Sequence, residues 1–162
     1  MRNLRRWAIA CMCIGAFGCG KPASTPQNLT QTGGAVEGEA APVERGEIAW
    51  SYDFEAGLAA AKEANKPVMV DVFATWCAPC KMLDENVFSR ADVAEASKSF
   101  VTIRVDGDKY PEIRQQLNVN SYPTVLFLTP EGREMNRSMG SVSYDIMLEA
   151  MGKAQEQFAE GQ

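Results

Sequence analysis

The amino-acid sequence predicts a layered α/β domain that follows an N-terminal extension of different composition. From residue 48 onward, segments with helical periodicity alternate with short β-branched runs, a pattern typical of α/β architectures. One of these runs, residues 68–73, is almost continuously apolar, as expected for a central strand that is covered on both faces. A length of 162 residues fits one such domain with extensions.

The first 18 residues have the pattern of a secretory signal peptide. Arg2, Arg5 and Arg6 precede a short apolar stretch that ends in small residues. That stretch is shorter than the roughly 20 apolar residues that a membrane-spanning helix needs. Residues 16–19 resemble the lipobox at which bacterial lipoprotein precursors are cleaved, which makes Cys19 the predicted lipidation site. The alternative is that Cys19 is an incidental small residue of the signal.

Residues 19–47 are predicted to be a disordered tether, because they are rich in Pro, Gly, Ser, Thr, Gln and Ala and show no periodicity. The domain itself is predicted over residues 48–162. The formal net charge of the chain is −5, and removal of the three arginines in the signal brings it to −8. Nucleic-acid binding normally rests on a basic surface, so no nucleic-acid partner is expected.

The predicted domain opens with a helix and a strand. Asp53 is suited to cap a helix that runs to about residue 65. Three apolar residues lie at helical spacing on one face of this helix: Phe54, Leu58 and Ala61. Pro67 ends the helix, and the strand over residues 68–73 follows.

The remaining elements continue the alternation of helix and strand. A helix that opens at the two cysteines carries apolar residues as far as Phe88, and Ser89 begins a further short helix. Strands are predicted over residues 101–105 and 124–128, with a last strand that ends at about residue 139. Helices are predicted over residues 111–117 and 143–158.

Two cysteines carry the predicted chemistry of the domain. Cys77 and Cys80 lie three residues apart at the point where a strand ends and a helix begins, and this spacing allows a small disulfide ring. Cys77 faces unpaired backbone N–H groups and the positive end of the helix dipole, which favour the nucleophilic thiolate. Pro79 fits the first helical turn, because its missing N–H costs no helical hydrogen bond there.

Other interpretations of the cysteine pair are weaker. A structural zinc site needs four ligands, and the chain has no histidine and no second cysteine pair in the domain. A purely structural disulfide would gain little from so short a loop. An inert buried pair remains possible, although Trp76 and Pro79 at a helix start are not typical of a plain core. The sequence therefore predicts a redox-active pair that works without a metal or another cofactor.

The segment that contains the cysteines resembles a known family. Residues 70–81 read VDVFATWCAPCK and resemble the active-site segment of thioredoxins, and residues 121–124 resemble their cis-proline loop. The resemblance covers about residues 50–158 and implies a thioredoxin-like three-layer sandwich, a central mixed β-sheet flanked by helices. Residues 65–68 and 86–89 look closer to the C-terminal domain of the periplasmic thiol-disulfide interchange protein and to related lipoproteins.

The resemblance implies roles for individual residues. In that family the first cysteine attacks a substrate disulfide, the second resolves the mixed disulfide, and a buried carboxylate handles the proton of the second. Cys77, Cys80 and Asp71 occupy these positions. Asp71 also stands out by itself, because burial in an apolar strand raises the pKa of a carboxyl toward neutrality, where a proton acceptor works best. The alternative is an outward-facing aspartate at a sheet irregularity.

The predicted substrate-binding surface consists of four residues around the cysteines. A cis bond between Tyr122 and Pro123, which the resemblance implies, would present the backbone of Tyr122 to a substrate peptide. Trp76 and Pro79 complete the surface. The sequence departs from the family at one position: the lysine that thioredoxins often place near the buried carboxylate is missing, and the matching strand is residues 102–106.

The predicted function is a lipid-anchored thiol-disulfide oxidoreductase on the periplasmic side of a bacterial membrane. The Ala-Pro dipeptide between the cysteines is similar to the Gly-Pro of reducing thioredoxins, and this resemblance favours reduction of disulfides in other extracytoplasmic proteins. A membrane thiol electron donor would then re-reduce the protein, which is expected to be a monomer. Two alternatives stay open: a disulfide oxidase or isomerase, and a thioredoxin-like binding lipoprotein with secondary redox activity.

Overall fold

A computed structural model describes residues 44–161 of the chain. The predicted signal peptide, Cys19 and nearly all of the predicted tether lie outside the described residues. The strands are β1 (Val68–Phe73), β2 (Val101–Asp106), β3 (Thr124–Leu128) and β4 (Glu134–Met139). The helices are α1 (Phe54–Ala64), α2 (Ala78–Leu83), α3 (Ala91–Ser97), α4 (Pro111–Gln116) and α5 (Tyr144–Glu160), and a π-helical turn (Asp84–Phe88) continues α2.

The four strands form one mixed sheet in the order β2-β1-β3-β4. β1 pairs with β2 in parallel and with β3 in antiparallel orientation, and β4 is antiparallel to β3. The predicted central mixed sheet flanked by helices is therefore confirmed. Parallel strands end at the same edge of the sheet, so β1 and β2 deliver the residues that follow them to one place.

Side chains of β1 alternate between two cores, as a strand covered on both faces requires. Val68, Val70 and Val72 pack on the face covered by α1. Met69 packs on the other face, which α3, α5 and the π turn cover. Asp71 lies two residues after Met69 and therefore shares its face.

The predicted start of the short helix after Phe88 is wrong. Ser89 does not begin that helix but closes the π turn, since its hydroxyl donates to the carbonyl of Glu85 at 2.6 Å. Its backbone N–H donates to Asp84, five residues earlier, at 3.0 Å. A serine whose hydroxyl is already used in this way cannot cap the next helix, and α3 begins two residues later, after Arg90.

Helix α1 is capped as predicted and lies very close to β2. Asp53 Oδ1 accepts the N–H of Ala56 at 2.9 Å, and the helix ends at Asn65 in a left-handed conformation with φ 48°. A Cβ atom on buried Gly57 would lie 2.4 Å from Cδ1 of Ile103, so only glycine permits this approach. Leu58, predicted on the same face, is half-buried against this core.

The segment before α1 covers the outer edge of β2. Ser51 accepts the N–H of Arg104 at 2.8 Å and donates its own N–H to Thr102 at 2.9 Å. Farther upstream, Gly46 donates to Ser89 and Glu44 accepts from Ala91, so ordered contacts begin before residue 48. Over residues 44–161, none of the helices combines the length and apolar character that a membrane crossing requires.

Candidate active site

The two cysteines lie at the junction between β1 and α2. Cys77 precedes the first residue of α2 and keeps an extended backbone, with φ −72° and ψ 105°. It is bonded to Cys80 in a disulfide, with 5.3 Å between the two Cα atoms. Both residues are nearly buried, at 2% and 3% exposure. The side chains of Phe73 and Tyr122 pack against them.

The sulfur of Cys77 occupies the capping position of the helix. Its Sγ accepts the backbone N–H of Cys80 at 3.1 Å. A negative charge on this sulfur would be stabilised by that N–H and by the positive end of the helix dipole. A cysteine at a helix start is the member of such a pair whose thiolate is stabilised, and the role of Cys77 as the attacking cysteine stays a prediction.

Asp71 is enclosed in the sheet, at 1% exposure. The register of β1 against both neighbouring strands is uninterrupted at this residue, so the alternative of an outward-facing aspartate at a sheet irregularity does not hold. Burial raises the pKa of Asp71 to about 7, against the lowering effect of Arg104 and with a further rise from Asp84. Asp71 can therefore both bind and release a proton near neutral pH. Its role in catalysis stays a prediction.

An arginine of β2 lies beside Asp71. Arg104 is the register partner of Asp71 in the parallel β1–β2 pair. Its Nε lies 3.0 Å from Asp71 Oδ2, and its terminal NH2 group donates to Asp84 Oδ1 at 2.6 Å. A cation therefore faces the buried carboxyl, but it is an arginine and not the lysine that thioredoxins often place there.

Trp76 stands out from the surface next to Cys77, at 70% exposure. Its Nε1–H donates to Asp108 Oδ2 at 2.7 Å. Its ring meets that of Tyr122 edge to face, with 6.0 Å between the ring centroids. An exposed indole with its N–H already bonded offers a fixed apolar face to a partner.

The loop on the other side of the cysteines contains the Tyr122–Pro123 bond, which is cis, as the resemblance implied. The hydroxyl of Tyr122 donates to Asp108 Oδ1 at 3.0 Å and accepts a hydrogen bond from Arg114 at 3.1 Å. Hydrogen bonds from Trp76 and Tyr122 lower the pKa of Asp108. One carboxylate thus ties together the two aromatic side chains beside the disulfide.

The structure brings the predicted site residues together. Tyr122 packs against the cysteines and meets the ring of Trp76, and Pro79 is exposed on the first turn of α2. Pro123 is buried and accepts the N–H of Gly140 through its carbonyl at 2.8 Å. Their roles in substrate binding stay predictions. Lipidation of Cys19 falls outside the described residues.

Three charged residues of this site were not predicted. Asp84 lies four residues after Cys80, a helical spacing that could have indicated a shared face. Arg104 could have been predicted from the sequence, because the strand in which thioredoxins often carry a lysine has an arginine here. Asp108 lies in the turn that follows β2. Asp106 caps this turn by accepting the N–H groups of Asp108 and Lys109, but no local pattern indicated that Asp108 meets Trp76.

Within residues 44–161, no group of three or more metal-ligating side chains comes together. The functional groups that the site does bring together are two sulfurs, one buried carboxyl and an exposed aromatic surface. This set is suited to thiol-disulfide exchange with a protein substrate.

Comparison with known proteins finds similarity to one family. A family model described as thioredoxin-like matches residues 49–130. The thioredoxin H-type protein of rice, Oryza sativa subsp. indica, is 35% identical over 94 residues, which are 58% of this chain and 74% of that protein. The thiol:disulfide interchange protein DsbD of Klebsiella pneumoniae is 37% identical over 86 residues, 51% of this chain but only 14% of that protein. The solution structure of a thioredoxin from Thermus thermophilus superimposes with a TM-score of 0.64 at 25% identity, covering 72% of this chain and 95% of that one.

Proposed function

The chain belongs to the thioredoxin-like family and is a thiol-disulfide oxidoreductase with Cys77 and Cys80 as its redox pair, and we propose that it reduces disulfide bonds of proteins outside the cytoplasm. The observation that carries this proposal is the position of Cys77. Its sulfur sits at a helix start, accepts a backbone N–H, and has a second cysteine in bonding distance.

The proposed reaction transfers two electrons from the dithiol to a substrate disulfide. The thiolate of Cys77 attacks one substrate sulfur, forms a mixed disulfide and releases the other substrate sulfur as a thiolate. Asp71 then takes the proton from the Cys80 thiol, and the Cys80 thiolate attacks the Cys77 sulfur. The second substrate sulfur leaves as a thiolate, and the chain ends with the Cys77–Cys80 disulfide. The two substrate thiolates become thiols by taking up the proton that Asp71 returns and a second proton from water.

The aromatic surface beside the disulfide supports a protein as substrate. Trp76 and Tyr122 are held in place by Asp108, so a partner chain meets a preformed apolar face instead of mobile side chains. The proposed contact of the cis-proline loop is backbone pairing next to Tyr122 with an extended substrate segment, as the family resemblance implies.

The proposed direction of electron flow is reduction of the substrate. The support is the dipeptide between the cysteines, Ala78-Pro79, which resembles the Gly-Pro of reducing thioredoxins. Each turnover oxidises the chain, so it needs a dithiol donor. A membrane thiol protein is the proposed donor, because the predicted lipid on Cys19 would hold the chain at the membrane surface.

The proposed location is the periplasmic side of a bacterial membrane, with a lipid on Cys19 and residues 20–47 as the tether. The support is the charge and apolar pattern of the first 18 residues. Expression of the full chain in bacteria with a radiolabelled fatty acid tests it. We expect label in the wild-type protein and none in Cys19→Ala. Equal labelling of both proteins would show that Cys19 is not the lipidation site.

The first experiment for the redox function is the reduction potential of the purified protein, equilibrated against thiol-disulfide buffers. A value near roughly −270 mV would place it with reducing thioredoxins and support electron donation. A value near roughly −120 mV would make it an oxidant and overturn the proposed direction. A pair that does not equilibrate would contradict the redox function itself.

Substrate capture tests the order of the two cysteines. With Cys80→Ser the mixed disulfide cannot be resolved, so we expect trapped extracytoplasmic proteins that reductant releases. The double variant Cys77→Ser/Cys80→Ser is the matched control, because any disulfide it captures must come from another cysteine. Equal capture by both variants would show that Cys77 is not the attacking residue.

A further inference from the structure

The guanidinium of Arg104 contacts groups from three different segments of the chain. Its Nε lies 3.0 Å from Asp71 on β1, and its terminal nitrogen 2.6 Å from Asp84 on the π turn. Its central carbon lies 4.5 Å from the ring centroid of Phe73 and 5.6 Å from that of Trp50, upstream of α1. The side chain is only 14% exposed. A charge held from so many directions has little freedom to move.

The two carboxylates do not share this cation equally. The contact with Asp84 is a directed hydrogen bond between NH2 and Oδ1. Nε of Arg104 lies 3.0 Å from Oδ2 of Asp71 without forming a hydrogen bond, and Oδ1 of Asp71 has no hydrogen-bond partner at all. Asp84 is 37% exposed and thus also solvated by water, whereas Asp71 is 1% exposed. Arg104 therefore stabilises a negative charge on the buried Asp71 less strongly than one on Asp84.

Asp84 is also tied to the helix that carries the resolving cysteine. It lies four residues after Cys80, and its backbone N–H donates to the Cys80 carbonyl. Residues at this spacing lie on one face of a helix. The chain of contacts from Asp84 through Arg104 to Asp71 therefore begins one turn beyond Cys80.

We propose that Asp84 and Arg104 are positioning residues that act as a pair: Asp84 draws the guanidinium toward itself, and this limits how strongly the cation can hold the ionised form of Asp71. The pair thereby keeps Asp71 able to take up and give back a proton at neutral pH. Neither residue touches the substrate. The inference rests on the proposed reaction only for its catalytic consequence, since proton uptake by Asp71 can be measured without a substrate.

Every charged group that acts on Asp71 enters this argument. β2 contributes Arg104, and the π turn contributes Asp84. The partner of Asp71 on β3 is the apolar Val125. Removing the charge of Asp84 removes a repulsion and also leaves the guanidinium to Asp71, and both effects stabilise the ionised Asp71. Removing Arg104 has the opposite effect.

The experiment is a ¹³C NMR titration of the Asp71 carboxyl carbon in the oxidised full-length protein, where the two cysteines do not titrate. The signal is identified by its loss in Asp71→Asn. We expect Asp84→Asn to lower the pKa of Asp71 and Arg104→Met to raise it, each by at least about one unit, or tenfold in the ionisation constant. Asparagine has nearly the size of aspartate, so the first variant removes the charge that holds the guanidinium with little change in the packing.

The matched control is Glu85→Gln, which removes an exposed charge from the same π turn without a contact to Arg104. A shift in Asp84→Asn no larger than in this control would overturn the proposal, and so would a shift in the same direction in Asp84→Asn and Arg104→Met. If Arg104→Met does not fold, Arg104→Lys takes its place: a lysine keeps the charge but cannot hold both carboxylates in a fork. We then expect the Asp71 pKa of Arg104→Lys to respond less to Asp84→Asn than that of the wild type, and an equal response would overturn the proposal.

A kinetic measurement separates this inference from the proposed function. The pH profile of insulin-disulfide reduction should move to lower pH in Asp84→Asn, in step with the carboxyl titration. A carboxyl that shifts as expected in a protein without reductase activity supports the inference and contradicts the proposed function. Reductase activity in a protein whose Asp71 pKa does not shift supports the proposed function and contradicts the inference.

Discussion

Replacement of Asp71 by asparagine should stabilise the protein at neutral pH, although it removes a residue of the candidate active site. Burial raises the pKa of Asp71 to about 7 from an ordinary value of 3.8, so the folded protein binds this proton more tightly than the unfolded chain. The free energy of unfolding therefore falls as the pH rises from about 4 to about 7 and levels off above. Asparagine is neutral throughout and avoids this loss.

The magnitude follows from the interval between the two pKa values. It spans about three pH units, each worth about 1.4 kcal/mol, so the wild type should lose about 4 kcal/mol relative to Asp71→Asn between pH 4 and pH 8. A constant difference between asparagine and a protonated aspartate cancels when the two pH values are compared. The effect is large against a typical total stability of about 5–15 kcal/mol.

The assay is urea unfolding of both oxidised proteins, followed by circular dichroism at several pH values. Asp92→Asn is the control, because Asp92 is also paired with an arginine but lies at the surface, at 2.7 Å from Arg90. That pairing lowers the pKa of Asp92, so its contribution is present at neutral pH and is lost on acidification. A stability difference between Asp71→Asn and the wild type that does not change with pH would refute the reasoning.

Further predictions concern the aromatic surface and the core. In Gly107→Ala the new Cβ would lie 2.4 Å from the Tyr122 hydroxyl, so we expect the free energy of unfolding, measured by thermal unfolding, to fall by about 1–3 kcal/mol. We also expect the substitution to slow the reduction of insulin more than the reduction of a small disulfide. An equal effect on both substrates would mean that Tyr122 does not contact protein partners. Tyr122→Phe removes the hydrogen bond to Asp108 and should cost about 1 kcal/mol in urea unfolding, and an unchanged midpoint would show that the network does not stabilise the loop. Phe127→Ala empties a fully buried position and should cost about 3–5 kcal/mol, whereas Lys98→Ala at an exposed ion pair should cost nothing measurable; similar losses in the two would contradict the assignment of the core.

The chemistry of the candidate site was largely predictable, because it depends on rare residue types at short spacings. Two cysteines three apart after an apolar strand define the redox pair. Asp71 stands out because no other charge interrupts that strand, and its burial followed from the apolar residues on both sides. These patterns are local, and local patterns survive folding when they agree with the tertiary structure.

The elements were predictable for a similar reason. Periodicity and caps fixed most helices and strands within one or two residues, and Asp53 caps α1 as expected. The π turn is the exception. It depends on packing of Val87 and Phe88 into the core and on the hydroxyl of Ser89, none of which has a distinctive sequence pattern.

By itself, the sequence determined the family, the redox pair and the buried carboxyl of this protein. Only the tertiary structure decided which charges surround them. Arg104 meets Asp71 because the parallel register aligns two residues that are 33 positions apart in the sequence, and Asp108 meets Trp76 across a similar distance. Such contacts depend on how strands and loops come together, and since an ion pair acts over only a few ångströms, the spacing of residues along the chain does not reveal it.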